Sequence, residues 1–433
     1  MTRPLISYYG DDFTGSTDVM EALASNGVET VLFLKLPDAD LLSRFSGVRA
    51  YGLAGTSRSE TPDWMDVHLS EAFTWLKMLD AELCHYKVCS TFDSAPDVGN
   101  IGRAIEIGRA VFGEATVPLI VGAPQIRRYT AFGELFAAYQ GRNYRIDRHP
   151  VMSRHPVTPM DEANVLLHLA RQTTLSSALV DNVALLGTPE PEAADILLLD
   201  VLDAPTQAAA GGLLWNRLRA ESRFVCGSSG IEYALIPAWR KEGLIGEKPT
   251  FADAGPVDQI AVVSGSVSPT TERQIRHALA NGFAGVTLDP VALSSPDNAA
   301  TIAAAIEAGL KVLESGESVL LYTALGPSAD RGGELDSSLG ARHRLGRALG
   351  RIQSELVGRA GLSRAVVAGG DTSSHALGEM GIAALTLKMP LPQTPGSPLC
   401  IAHGGPADGL QIALKGGQVG GDDYFRMIRA GAA

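Results

Sequence analysis

Cysteine is scarce in this chain: 433 residues hold four, Cys84, Cys89, Cys226 and Cys400, and none stands in CxxC spacing. That pattern makes neither a disulfide framework nor a zinc site and reads as reduced thiols of a cytosolic protein. No charged leader with an apolar core opens the sequence, and no uninterrupted apolar run approaches roughly 20 residues, so neither export nor a membrane span is expected. The expected location is the cytoplasm. A basic block is missing too, and the formal net charge is -12. Nucleic acid is therefore not expected as the main partner, because that affinity rests on Lys and Arg neutralising phosphates. The phosphate fingerprints G-x-x-x-x-G-K-[ST] and strand-following G-x-G-x-x-G are absent, as are G-x-S-x-G and H-E-x-x-H. These absences argue against an ordinary P-loop enzyme, a nicotinamide dehydrogenase, a serine hydrolase and a zinc protease.

What the chain has is apolar residues (45%) and glycine (47 of them). Its length exceeds what one ordinary core supports, which points to two domains. Apolar runs at Leu5 to Tyr9, Thr30 to Leu34, Val48 to Leu53, Leu83 to Cys89, Val117 to Gly122, Ile196 to Leu202 and Phe224 to Cys226 read as strands, with helical patterns after most of them. Such alternation means parallel sheet covered by helices. From Trp239 to Asp258 the pattern lapses into polar turn residues, read as a linker. Strand signals resume at Gln259 to Val263 and recur at Val286 to Leu288, Val319 to Tyr322, Ala365 to Ala368 and Ala384 to Leu387. The expected fold is two α/β lobes with largely parallel sheets, 1–245 and 258–433, facing one cleft.

Two clusters stand where strands hand over to helices: Gly10-Asp11-Asp12-Phe13-Thr14-Gly15 and Gly369-Gly370-Asp371-Thr372-Ser373. Ligands of open α/β sheets bind at that edge. Asp11 and Asp12 there can orient a hydroxyl, take its proton or help hold Mg²⁺; the plain alternative is that Asp12 or Thr14 merely caps the helix. Ser264-Gly265-Ser266-Val267-Ser268 has the composition of an anion cradle at a helix N-terminus, although serine and glycine there also make simple capping turns. Leu414-Lys415-Gly416-Gly417 is a third glycine-rich turn in the same lobe, and three together favour a nucleotide. Positive charge concentrates in Arg127, Arg128, Arg142, Arg145, Arg148 and Arg154. Guanidinium groups bind carboxylate and phosphate bidentately, so the group suggests an acidic substrate, with surface ion pairs as the alternative for any one of them.

Taken in order along nearly the whole chain, these motifs resemble the four-carbon acid sugar kinase family. Asp11-Asp12-Phe13-Thr14-Gly15 is similar to its Ala-Asp-Asp-x-Thr-Gly-Ala opening, and Gly122-Ala123-Pro124-Gln125 to Arg128 to its proline-containing substrate loop. Val263-Ser264-Gly265-Ser266, Gly369-Gly370-Asp371-Thr372-Ser373 and Leu414-Lys415-Gly416-Gly417 resemble its second-lobe turns. The resemblance implies an N-terminal sugar-acid domain and a C-terminal nucleotide domain. It implies ATP at Ser264, Gly265, Ser266, Gly369, Gly370, Asp371, Thr372, Gly416 and Gly417, with Asp371 near Mg²⁺ or ribose. Where the family pattern runs Lys-x-Asp-Ser-Thr-Leu-Arg-Gly, this chain has Lys87-Val88-Cys89-Ser90-Thr91-Phe92-Asp93-Ser94. Cys89 replaces an acid and Asp93 an arginine. A buried unmatched charge costs several kcal/mol, so this departure points away from threonate or erythronate and toward a 3-oxo-tetronate or a branched 3-oxo acid such as 3-oxo-isoapionate.

The activity expected is transfer of the γ-phosphoryl of MgATP to a terminal hydroxyl of a small sugar acid. Asp12, with Asp11, serves the acceptor hydroxyl; Thr14, Lys87, Ser90 and Thr91 contact substrate; Arg127, Arg128 and Arg154 hold its carboxylate. The partners expected are that acid and ATP, with a homodimer left open. The rivals are a sugar-acid dehydrogenase or isomerase on a similar frame, and a non-catalytic sensor of an acidic metabolite; neither accounts for both clusters.

Overall fold

Residues 6–10, Ile-Ser-Tyr-Tyr-Gly, are buried along their whole length, as a strand must be when helices cover both faces of its sheet. In the computed structural model, which describes residues 3–335, 340–394 and 396–432, this strand is central in one of two α/β units. The units are Met1–Leu32 with Leu42–Pro249, and Phe33–Leu41 with Thr250–Ala433. The excursion at 33–41 was not anticipated; Leu34 N–H donates to Ala383 O at 2.9 Å.

In the first unit the strand order is Thr30–Phe33, Ala50–Ala54, Ile6–Gly10, Leu83–Lys87, Phe224–Gly227, Val117–Ile120, Ile196–Leu199, Ser177–Val180. From Ala50–Ala54 onward all neighbours are parallel. The chain leaves Ile6–Gly10 toward one side and returns on the other as Leu83–Lys87, so the order reverses between those two strands. Such a reversal opens a crevice at the strands' carboxyl ends. Asp11 and Asp12 follow the first strand and Val88 to Thr91 the second.

The second unit repeats the logic. Its order is Phe283–Thr287, Ser318–Tyr322, Ala261–Ser264, Arg364–Ala368, Gln411–Lys415, Leu399–His403, Ala384–Met389. The first five are parallel and the last two are added antiparallel. Reversal falls between Ala261–Ser264 and Arg364–Ala368. Ile260, Val262, Ile275, Leu320, Val366, Tyr424, Phe425 and Ile428 form a core here.

Three features depart from the sequence reading. The helix Gly230–Lys241 runs through Trp239, which is fully buried with its ring edge-on to Trp215 at 5.7 Å, so irregular chain begins later than Trp239. Strands Ser177–Val180 and Leu399–His403 were not expected. Most consequentially, Arg128–Ala131, Glu134–Tyr139 and Arg142–Arg145 form a separate three-stranded antiparallel sheet. Its turns, Phe132-Gly133 and Gln140-Gly141, have positive φ at both positions, the geometry that two-residue hairpins favour. Among the described residues no helix is long and apolar enough to cross a membrane.

Candidate active site

At the head of helix Phe13–Ala24, Asp12 has extended backbone and its side chain accepts from Gly15 N–H at 2.5 Å. Asp12 is therefore a cap, as the plain reading held, and it has a second partner as well. Its Oδ2 takes a hydrogen bond from Arg58 Nη1 at 2.8 Å. Arg58 Nη2 turns the other way and clasps both oxygens of Asp93, at 3.0 and 2.8 Å. Thr91 Oγ1 donates to Asp93 Oδ1 at 2.5 Å and Thr158 Oγ1 to Oδ2 at 3.1 Å. Thus Asp93 is not an unmatched charge: Arg58, arriving from the loop after Ala50–Ala54, supplies the cation. Burial alone would raise the Asp93 carboxyl, but Arg58 and Thr91 hold it below the ordinary value. Cys89, Asp93, Asp12 and Asp11 together hold Arg58 well above its own.

Asp11 lies beneath. It is buried, and its Oδ1 has no hydrogen-bond partner among the described residues. Burial first, and then the adjacent Asp12, push its carboxyl up to about 7, against the pull of Arg58 and Lys87. Lys87 is buried as well and donates to Val88 O at 2.9 Å. Burial would lower the Lys87 ammonium; Asp18, Asp11, Cys89 and Asp12 outweigh it and raise it. Gly15 is required by this crowding, since a Cβ there would sit 2.6 Å from Asp12 Oδ1 and 2.9 Å from Lys87 Nζ. Ser90 and Thr91, on the loop after Leu83–Lys87, are buried, and Thr14 is half-buried on the first helical turn. The Cys89 thiol contacts Thr91 Oγ1 at 2.9 Å.

The expected arginines separate. Arg128 is half-buried; its Nη1 reaches only the carbonyls of Ile126 and Arg127, its Nε has no partner, and it has no carboxylate pair among the described residues. Burial lowers its pKa. Arg127 is exposed at φ 58 and extends toward Gly141 O at 3.5 Å. Arg154 is exposed on the turn Met152–Arg154. Arg145 is engaged with Asp147 and Glu134, and Arg148 lies 3.9 Å from Asp147. The basic stretch is thus largely a hairpin surface carrying its own ion pairs, and Arg128 alone among the expected three combines partial burial with unsatisfied donors.

In the second unit the three glycine-rich turns leave adjacent parallel strands and meet. Gly265 N–H donates to Ala368 O and Gly369 N–H to Lys415 O, at 3.1 and 2.8 Å. Gly369 has φ 125, and a Cβ on Gly265 would fall 2.4 Å from Thr372 Oγ1. Thr271 Oγ1 donates to Ser266 Oγ and contacts Gly417 O, both at 3.1 Å. Lys415 Nζ donates to Thr271 Oγ1 at 3.0 Å and to Gly416 O at 2.9 Å. Buried, with no carboxylate pair among the described residues, the Lys415 ammonium is lowered to about 8 by burial. Gly370 begins the helix Gly370–Glu379. The Asp371 side chain lies outside the described residues. Small residues, free helix N–H groups and an unneutralised lysine suit a polyphosphate.

Arg58, Thr158, Thr271 and Lys415 were not assigned roles from sequence. Lys415 stood inside a quoted motif; Arg58 had a signal in its position four residues past a strand that borders the acids' own strand.

The chain matches two family models: a sugar-binding N-terminal domain over residues 6–235 and a nucleotide-binding C-terminal domain over residues 261–425. It is 47% identical to a 3-oxo-isoapionate kinase of Paraburkholderia graminis, covering 99% of this chain and 94% of that protein. A 3-oxo-tetronate kinase of Cupriavidus necator is 31% identical over 98% and 96% of the two chains. The fold is that of solved structures from Salmonella typhimurium, called a putative tRNA synthase, at TM-score 0.78 and 23% identity over 98% of each chain, and from Haemophilus influenzae, at TM-score 0.74 and 23% identity over 98% and 99%. The chain belongs to the four-carbon acid sugar kinase family.

Proposed function

We propose that this chain transfers the γ-phosphoryl of ATP to a terminal hydroxyl of a branched 3-oxo sugar acid of the 3-oxo-isoapionate type. The relative at 47% identity over 99% of the chain supports that substrate class. Phosphoryl transfer asks a protein for positioning and charge neutralisation more than for covalent chemistry. The observation that carries the reading is Asp12, a partly exposed carboxylate fixed from two sides at the first unit's crevice.

Asp12 would accept the acceptor hydroxyl's hydrogen bond and then its proton as the oxygen attacks phosphorus. Asp11, too buried to reach far, adjusts the charge behind Asp12, its own carboxyl pushed up to about 7 by burial. Thr14, Ser90, Thr91 and Lys87 are the donors available to the acid's hydroxyl and oxo groups. Arg128 would take the carboxylate, with Arg127 and Arg154 as exposed charges that attract the anion.

In the second unit Ser264, Gly265, Ser266, Gly369, Gly370, Thr372, Gly416 and Gly417 would hold the nucleotide phosphates through hydroxyls and backbone N–H groups, and Lys415 would pair with a phosphate oxygen. Mg²⁺ bound with the nucleotide would neutralise charge on its phosphate oxygens; Asp371 is the acid that this turn offers. Replacing Asp12 by Asn should abolish ADP release in the presence of the acid while leaving ATP affinity nearly intact. Full activity in Asp12→Asn contradicts the assignment.

A further inference from the structure

Of the carboxylates around Arg58, Asp93 is the one the mechanism above does not use. Its side chain is fully buried, whereas that of Asp12 is 31% exposed. It cannot meet the substrate as Asp12 can. Yet four hydrogen bonds converge on it, two from Arg58 Nη2 and one each from Thr91 and Thr158. Thr158 is itself hydrogen-bonded to His155 Nδ1 at 2.9 Å. Two other segments of chain, at Arg58 and at Thr158, are tied to this carboxylate beside its own loop. With one side of the planar guanidinium fixed, the other is aimed at Asp12, and the Arg58 backbone N–H, donating to Asp11 O at 3.0 Å, holds the root of the side chain in place.

Building on the proposed kinase reading, we propose that Asp93 is a positioning residue: it aims Arg58 at Asp12 and withholds that guanidinium from the substrate's carboxylate, which is left to Arg128. The two arginines differ in the way this requires. Arg58 is paired with two carboxylates through both terminal nitrogens, while the hydrogen bonds of Arg128 go only to carbonyls and its Nε has no partner among the described residues. Both lie within electrostatic reach of Cys89, on the same loop as Asp93. A substrate bound at the wrong arginine presents the wrong end to Asp12, and a small misplacement of the attacking oxygen costs about a hundredfold in rate.

The titratable and charged groups facing the Asp11 and Asp12 pair are Arg58, Lys87, Asp18 and Asp93, together with Tyr9, Tyr86 and Cys226 from the strands around Asp11; Cys89 acts on Arg58 and Lys87, and His155 on Asp93. Removing the negative charge of Asp93 therefore lowers the proton affinity of Asp11.

The test is ADP release by wild type, Asp93→Asn, Thr158→Val and Arg128→Gln, each as a function of sugar-acid concentration and pH. Asp93→Asn is expected to lose about tenfold to a hundredfold in kcat without a rise in KM for the acid, and its acid limb should move to lower pH. Thr158→Val, which removes one hydrogen bond to Asp93 and leaves both charges, is expected to lower kcat in the same way by a smaller factor; it carries the test if Asp93→Asn does not fold. Arg128→Gln should instead raise KM for the acid at least about tenfold. Lowered melting temperatures with kcat, KM and acid limb unchanged per folded molecule would overturn the positioning role. Absence of turnover by wild type on any sugar acid would overturn the kinase reading itself, a result separable from the first.

Discussion

At the residue scale the chemistry rests on charges that burial makes costly. Lys415 is the clearest case, a buried ammonium lowered to about 8 with only hydroxyl and carbonyl acceptors around it. A phosphate oxygen would restore its full charge, and charge-assisted hydrogen bonds contribute about 1.5–3 kcal/mol. Lys415→Met is therefore expected to raise KM for ATP about tenfold to a hundredfold and leave KM for the sugar acid nearly unchanged, as initial-rate kinetics will show. Asp11 makes a prediction about stability. Its folded pKa of about 7 lies above the ordinary 3.8, so between those values the native state holds a proton that the unfolded chain has released. The Asp11 contribution to stability is thus present at low pH and declines as pH rises from about 4 to about 7. In Asp11→Asn that decline is removed, so the melting-temperature difference, variant minus wild type, should grow across that window and level off above it.

At the scale of elements, the site depends on how closely helices and turns approach. In Gly15→Ala the new methyl group meets Asp12 Oδ1 and Lys87 Nζ at the head of helix Phe13–Ala24. Loss of most kcat is expected with a modest change in melting temperature, because the clash falls on side chains of the crevice and not on the packed helix face of Val19, Met20 and Leu23. The C-terminal helix Tyr424–Ala430 shows the opposite emphasis. Arg364, fully buried, binds Gln411 Oε1 with two nitrogens and the carbonyls of Ile428, Arg429 and Ala254. Arg364→Ala strands those acceptors, and a loss of about 3 kcal/mol or more in urea unfolding is expected. The strands that bear the site, Ile6–Gly10, Ala261–Ser264 and Arg364–Ala368, were legible because both sheet faces are covered and each reads as a short apolar run. The hairpin sheet at 128–145 was not: its charged residues masked the alternation, and the two X-Gly turns were its only strong signal.

For the whole molecule, chain order alone predicted two α/β units, and their sheets place the acid pair in one and the glycine turns in the other, each at its own reversal of strand order. That much follows from strand-turn-helix grammar. The pairing of Arg58 with Asp12 and Asp93 does not, since residues 35 and 46 positions apart are brought together only by the parallel stacking of three strands. The departure from the family pattern at Asp93 was visible in sequence, while its compensation by Arg58 was not. The central claim is a phosphoryl transfer specific for a branched 3-oxo acid, and its most direct test is ADP release with MgATP against four- and five-carbon sugar acids, linear and branched, each in hydroxy and 3-oxo form. Turnover confined to, or strongest with, the branched 3-oxo acid is the predicted result; ATP binding with no acid-dependent ADP release, or preference for a simple tetronate, would contradict it.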